Sequence, residues 1–135
     1  MSIVNLESPS GVRFRILANG SIERIEHADI TLNTYVGSEV AGGPANVYLR
    51  RLDDRARGGV RHVALLGPRS PGTILLDADG FGAVGVWDDI EYRVALGLSA
   101  TEPAWFWHVS LRNAGAAPAR VDLVHVQDVS LAHYG

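Results

Sequence analysis

The chain has 135 residues, 47% of them hydrophobic and 20% charged, with a formal net charge of −3. That length and balance give one folded domain that buries its own core, and they exclude a disordered chain. There is no cysteine, which excludes disulfides, zinc–thiolate sites, iron–sulfur clusters and a cysteine nucleophile. All 12 basic residues are Arg, so a lysine Schiff base and a P-loop lysine are excluded too, and the acidic balance speaks against nucleic acid as a partner.

The elements read in chain order are strands. Met1 to Glu7 lacks the basic and apolar regions of a secretory signal. From Val12 to Leu17 the pattern alternates, with Val12, Phe14 and Ile16 on one side and Arg13 and Arg15 on the other. Asn19-Gly20 then predicts a type I′ hairpin into a strand from Ser21 to Glu26, because both turn positions need positive φ. Asp29 to Tyr35 alternates again, and a glycine-rich stretch, Gly37 to Pro44, leads into a short strand from Asn46 to Arg51. Asp53 to Arg61 is charged and carries glycine, as an exposed loop does. His62 to Leu66, Thr73 to Leu76 and Phe81 to Gly85 are short strands broken by Gly67-Pro68, Pro71-Gly72 and Asp77-Ala78-Asp79-Gly80. Three longer runs close the chain, Ile90 to Ser99, Ala104 to Asn113 and Val121 to Leu131.

No window carries a helical stripe, and the longest uncharged run is far short of the roughly 20 apolar residues that cross a membrane. The reading is therefore all-β, a single antiparallel domain over 1–135 with roughly eight to ten strands in two packed sheets. A cytoplasmic location is the expectation. The abrupt stop after an apolar strand gives the further expectation that the chain is the N-terminal fragment of a longer protein.

Candidate chemistry is sparse. His27, His62, His108, His125 and His133 show no ligand spacing, and no metal is expected. Asp77-Ala78-Asp79-Gly80 resembles the start of a calcium loop, but position 88 is Asp where the bidentate Glu belongs, so a turn is the better reading. Asp88, Asp89 and Glu91 resemble paired carboxylates, yet neighbours on a strand face opposite ways, which favours a solvated turn. Trp105 and Trp107 share a face with Val109 and Leu111, a pattern that favours core over a sugar-stacking platform.

Three stretches carry a family resemblance. Phe14 to Ile22 with His27 to Ile30, Gly42 to Arg50, and Trp107 to Asn113 with Val121 to Leu131 resemble the N-terminal β-sandwich of glycoside hydrolase family 94. That family includes cellobiose phosphorylase, 1,2-β-oligoglucan phosphorylase and the phosphorylase region of NdvB-type cyclic β-1,2-glucan synthase. The resemblance implies a supersandwich of the galactose-mutarotase type ahead of an (α/α)₆ barrel. It implies a homodimer, inverting phosphorolysis of β-glucan oligosaccharides with inorganic phosphate as co-substrate, no further cofactor and no catalytic residue within this chain. Within the loop Gly37 to Tyr48 it points to Asn46 and Tyr48 as substrate-binding residues, and Trp105 and Trp107 join them through the sugar-stacking alternative to core. Two other readings stand next to it, a free-standing carbohydrate-binding sandwich and a small mutarotase-like sugar enzyme.

Pattern also predicts a hairpin between Ala104–Asn113 and Val121–Leu131. The register that sets Leu111 opposite Leu123 sets Arg112 opposite Asp122, an attractive cross-strand pair, and it turns His108 and His125 to opposite faces. The Trp105/Trp107/Leu111 face is expected to be the more buried one.

Overall fold

The structure, a computed structural model, describes residues 2–54 and 59–133, and the side chains among them except those of 54, 132 and 133. The described residues form antiparallel strands and no helix: β1 (Ile3–Glu7), β2 (Val12–Leu17), β3 (Ile22–His27), β4 (Ile30–Thr31), β5 (Asn46–Asp54), β6 (Gly59–Ala64), β7 (Thr73–Asp77), β8 (Gly80–Trp87), β9 (Ile90–Leu98), β10 (Trp105–Asn113), β11 (Val121–Val126) and β12 (Ala132–His133). The all-β, antiparallel, sandwich-like architecture expected from the alternating runs is present. The strand count exceeds expectation, because β1 and the two-residue strand β12 were not read from sequence, while the strand expected over Asp29 to Tyr35 is only the two-residue β4. Of the loop expected over Asp53–Arg61, residues 55–58 lie outside the described residues, and its two ends extend β5 and β6.

Among the described residues there are three sheets where two were expected. They are a five-stranded one in the order β1-β2-β3-β4-β12, a four-stranded one in the order β10-β9-β8-β7, and a three-stranded one in the order β11-β5-β6. Each sends one row of apolar side chains into a shared core. Phe14, Ile16 and Ile25 come from the first, Ala83, Ile90 and Val94 from the second, and Val47 and Leu49 from the third, with Leu65 and Leu66 just beyond β6. Alternation does this directly on β2, where Val12, Phe14 and Ile16 are buried and Arg13 and Arg15 are half-buried on the other face.

The β2–β3 hairpin exists, but its turn is not type I′. Of its two central residues only Gly20 has positive φ (83°). The Leu17 carbonyl accepts from Gly20 N–H and the Ser21 carbonyl from Leu17 N–H, both at 2.9 Å, which makes a three-residue loop with glycine at the bulge position. Asn19 is occupied elsewhere. Its Oδ1 accepts from Ser21 N–H at 2.9 Å, and its Nδ2 donates to the Ser38 and Glu39 carbonyls, each at 3.1 Å, so it tethers the glycine-rich segment. The two-residue type I′ geometry occurs instead at Asp88-Asp89, with φ of 53° and 65° between the paired Trp87 and Ile90.

The largest departure concerns β10 and β11, which do not pair. β10 pairs with β9, setting Arg112 opposite Glu91, and β11 pairs with β5, setting Asp122 opposite Arg50. The expected Arg112–Asp122 register therefore fails. Opposite-charge pairing correctly demands a partner for each ion but cannot say which strand supplies it. The 114–120 connection is pinned to two sheets. Ala114 N–H donates to the Asp89 carbonyl at the β8–β9 turn, at 2.8 Å. At its far end Arg120 N–H donates to Asp53 Oδ2 at 3.0 Å, and Leu52 N–H to the Arg120 carbonyl at 2.8 Å.

The last expected strand, Val121 to Leu131, stops at Val126. Asp128 leaves the ladder to accept backbone N–H groups of Thr34 and Tyr35, the latter at 2.7 Å. Ser130 N–H then donates to the Leu32 carbonyl at 2.9 Å, and β12 joins β4. The chain thus crosses from the three-stranded sheet to the five-stranded one. No helix of the described residues is long and apolar enough to cross a membrane.

Candidate functional site

Two concave places contain the residues singled out from sequence. The first is a cleft of about 460 Å³ between the glycine-rich segment at Val40–Gly43 and the stretch from His62 to Arg69, with Asn46 and Tyr48 in its lining. Asn46 is buried and its amide is almost fully used. Oδ1 accepts from Val47 N–H at 2.8 Å and Leu66 N–H at 3.1 Å, and Nδ2 donates to the Leu66 carbonyl at 2.9 Å. The side chain locks the start of β5 to the exit of β6, leaving one amide hydrogen. Tyr48, two residues further along β5 and on the same face, meets the His62 ring edge-on at 6.1 Å.

One end of this cleft is a close backbone approach. Gly67 has φ of 85°, and a Cβ there would lie 3.4 Å from the Gly42 Cα; a Cβ on Gly42 would lie 3.3 Å from the Pro68 ring. Glycine at 67 is required by that φ.

The second place is a groove of about 310 Å³ between the free edges of β10 and β11, lined by Val47, Trp105, Phe106, Trp107, Val109, Leu123 and His125. Register explains its character. Leu123 stands opposite Leu49 and His125 opposite Val47, and direct cross-strand neighbours share a face. Leu49 and Val47 are buried, so Leu123 and His125 also face inward, yet Leu123 is 40% exposed. On the opposing wall Trp105 and Trp107 are half-buried, which is nearer the core reading than the platform reading. Trp105 meets Phe14 edge-on at 5.4 Å, and Trp107 meets Phe81 edge-on at 5.9 Å. Phe106, on the outer face of β10, lies over Gly97, its direct cross-strand partner.

The structure thus brings Asn46 close to Tyr48 and Trp105 close to Trp107, in two separate places. Sequence reasoning missed Arg69 and Leu123, and it considered His62 and His125 as metal ligands. A signal for Leu123 and His125 existed in the alternation of β11, but the wrong strand partner hid it.

Of the acidic residues singled out from sequence, Asp77, Asp88 and Glu91 have structural partners. Asp77 Oδ1 accepts from the N–H groups of Asp79 and Gly80 at 2.8 and 3.0 Å, a side-chain-capped turn as read from sequence. Asp88 sits at the β8–β9 turn as expected, and it gathers Arg51 at 3.1 Å and Arg61 at 2.5 Å, while Arg61 stacks over Trp87 at 5.5 Å. Arg51 also bonds Asp53 at 2.6 Å, and this hydrogen bond holds the Asp53 carboxyl below its usual range. The Arg50 hydrogen bond does the same to Asp122, and that of Arg112 to Glu91. Among the described residues no three His, Asp or Glu side chains converge as metal ligands.

The family described as the SOGP N-terminal domain matches residues 15–135, all but the first 14. No curated protein matches the chain. The family match corrects the resemblance drawn from short motifs, since the domain that matches is the SOGP N-terminal domain and not a glycoside hydrolase family 94 N-terminal domain. The glycoside phosphorylase function inferred from that resemblance, with its β-glucan, glycosyltransferase and NdvB-like associations, is withdrawn with it, and neither the carbohydrate-binding module nor the sugar enzyme gains support. Short apolar strand motifs such as those quoted recur across β-domains and do not fix a family. The chain belongs to the SOGP N-terminal domain family.

Proposed function

We propose that this chain is a structural interface domain whose docking face is the groove between β10 and β11, and that the groove receives polypeptide following the domain in the protein that carries it. One observation carries the reading: Leu123, on the inward face opposite buried Leu49, is 40% exposed. An inward-facing leucine left open marks a core unfinished along one seam. β10 supports it, being a nine-residue edge strand without Pro or Lys and with aromatic residues on both faces. Natural edges of that kind are normally covered or blunted. The family description, an N-terminal domain, supports an occupant supplied from further along the same polypeptide. The occupant this chemistry fits is an extended apolar segment, adding main-chain hydrogen bonds to β10 and apolar side chains to Trp107 and Leu123.

Hydrogen exchange tests this. The outward amides of β10 are expected to exchange rapidly in the 135-residue chain and to be strongly protected in the longer protein that carries the domain. Equal exchange in the two, or the finding that no polypeptide follows the domain, overturns the reading. Protection that appears in the short chain only as its concentration rises also overturns it, because the occupant is then a second copy.

A further inference from the structure

We infer that the cleft beneath the glycine-rich segment is a binding site for a small organic carboxylate with an aromatic or apolar body. The cleft lies on the outward side of β5, where Tyr48 points, while the docking groove meets the inward side through Val47. The two sites are therefore independent.

Three features make the cleft a built site. It is preformed, because Asn46 fixes its floor with three hydrogen bonds and the Gly42–Gly67 approach fixes one end. Its volume of about 460 Å³ is that of a small-molecule pocket. Its lining is one-signed: Arg69 and His62 bring the donors, and no Asp or Glu lines it. Arg69 is exposed, and among the described residues no carboxylate is paired with it.

The chemistry of the ligand follows from these groups. A planar guanidinium binds a carboxylate through two parallel N–H···O bonds. A single arginine matches one negative charge better than the two of a phosphate monoester. The remaining N–H of Asn46 Nδ2 supplies a further donor, and the Tyr48 ring with Val63 and Ala64 supplies apolar surface for the body of the ligand. Val40, exposed on the glycine-rich segment, closes the other side.

The test is an NMR titration of the isotope-labelled chain with benzoate, benzamide and phenyl phosphate. Benzoate is expected to shift the amides of Ala41 to Gly43 and His62 to Ala64 saturably, and benzamide to bind about tenfold more weakly or worse, because it lacks the charge. Arg69→Gln is expected to remove the preference for benzoate over benzamide while leaving the remaining spectrum unchanged. Equal affinity for benzoate and benzamide, shifts centred elsewhere, absence of saturation, or an unaltered preference in Arg69→Gln each overturn the proposal. Tighter binding of phenyl phosphate than of benzoate overturns the carboxylate assignment. Should the Arg69→Gln chain fail to fold, Tyr48→Phe and Tyr48→Ala give the second reading: benzoate affinity is expected to survive the first and to fall in the second, and any other pattern overturns the role of the ring.

Discussion

The two ends of the shared core differ in what covers them. Around Phe14, Ile16, Ile25 and Leu49 all three sheets converge and the side chains are out of water. Along the seam between β10 and β11 the same kind of residue, on the same inward faces, stays half open. Composition does not separate these regions, since both are rows of Leu, Val and aromatic residues. Coverage does: burial belongs to the pair of surfaces that meet, and among the described residues β11 has β5 on one side and no strand on the other. A leucine on an inward face is therefore a core residue only where another sheet reaches it.

The sharpest way to break that comparison is to truncate one residue from each region. Phe14→Ala removes a fully buried ring that also meets Trp105, and it is expected to destabilise the fold by about 3–5 kcal/mol. Leu123→Ala removes a side chain of the same inward row that water already reaches, and it is expected to cost less than about 1 kcal/mol. Urea unfolding followed by Trp fluorescence measures both. Equal losses would mean that the seam is sealed in solution and that the contrast between the two regions is wrong.

Acid gives a smaller effect that separates the sheets. The carboxyls of Asp122, Asp53 and Glu91 are held below their usual range, chiefly by hydrogen bonds from Arg50, Arg51 and Arg112. A depressed native pKa binds fewer protons than the unfolded chain does, so these groups stabilise the fold above the ordinary carboxylate pKa, about 4. That contribution is lost as pH falls through the depressed native values. The unfolding midpoint in urea is expected to be level from neutrality to about pH 5 and to decline below about pH 4. In Asp122→Asn the decline is expected to be shallower, and an unchanged slope would remove Asp122 from the account.

Much of this fold is legible in the sequence. Alternation placed Val12, Phe14 and Ile16 inward, and it set the extents of β9 and β10 to within a residue, because side-chain direction follows the two-residue period whatever the neighbours are. Strand pairing was not legible. Arg112 and Asp122 each sought an opposite charge, and each found one nearby, but on β9 and β5. The choice was made by the 114–120 connection, whose backbone bonds to Asp89 and Asp53 join sheets far apart in sequence. The candidate sites divide the same way. Trp105 and Trp107 advertised themselves by type, whereas Leu123 and His125 became part of a site only once β11 had its true neighbour. The role of Asn46 lay hidden because its partner, Leu66, is twenty residues away and binds through its backbone.

The β8–β9 turn offers the finest contrast. Asp88 and Asp89 both adopt the left-handed region that a type I′ turn demands, and each pays a conformational cost that glycine avoids. Their side chains differ. The Asp88 carboxylate bonds Arg51 and Arg61, and Arg61 in turn covers Trp87, so this residue ties the turn of the four-stranded sheet to β5 and β6. The contribution of Asp89 to the connection is its backbone carbonyl, which accepts from Ala114 N–H and survives any side-chain change. Asp89→Gly relieves left-handed strain of about 1 kcal/mol, partly offset by the greater freedom of glycine in the unfolded chain. The net expectation is a small stabilisation, a few tenths of a kcal/mol. Asp88→Gly relieves the same strain but removes the carboxylate that bonds two half-buried guanidinium groups, and a net destabilisation is expected. Thermal unfolding of the two variants at neutral pH reads the difference as melting temperatures on opposite sides of the parent. If both variants rise, the arginine pair contributes nothing to holding the sheets together. If both fall, the left-handed conformation carries no strain worth relieving at this turn.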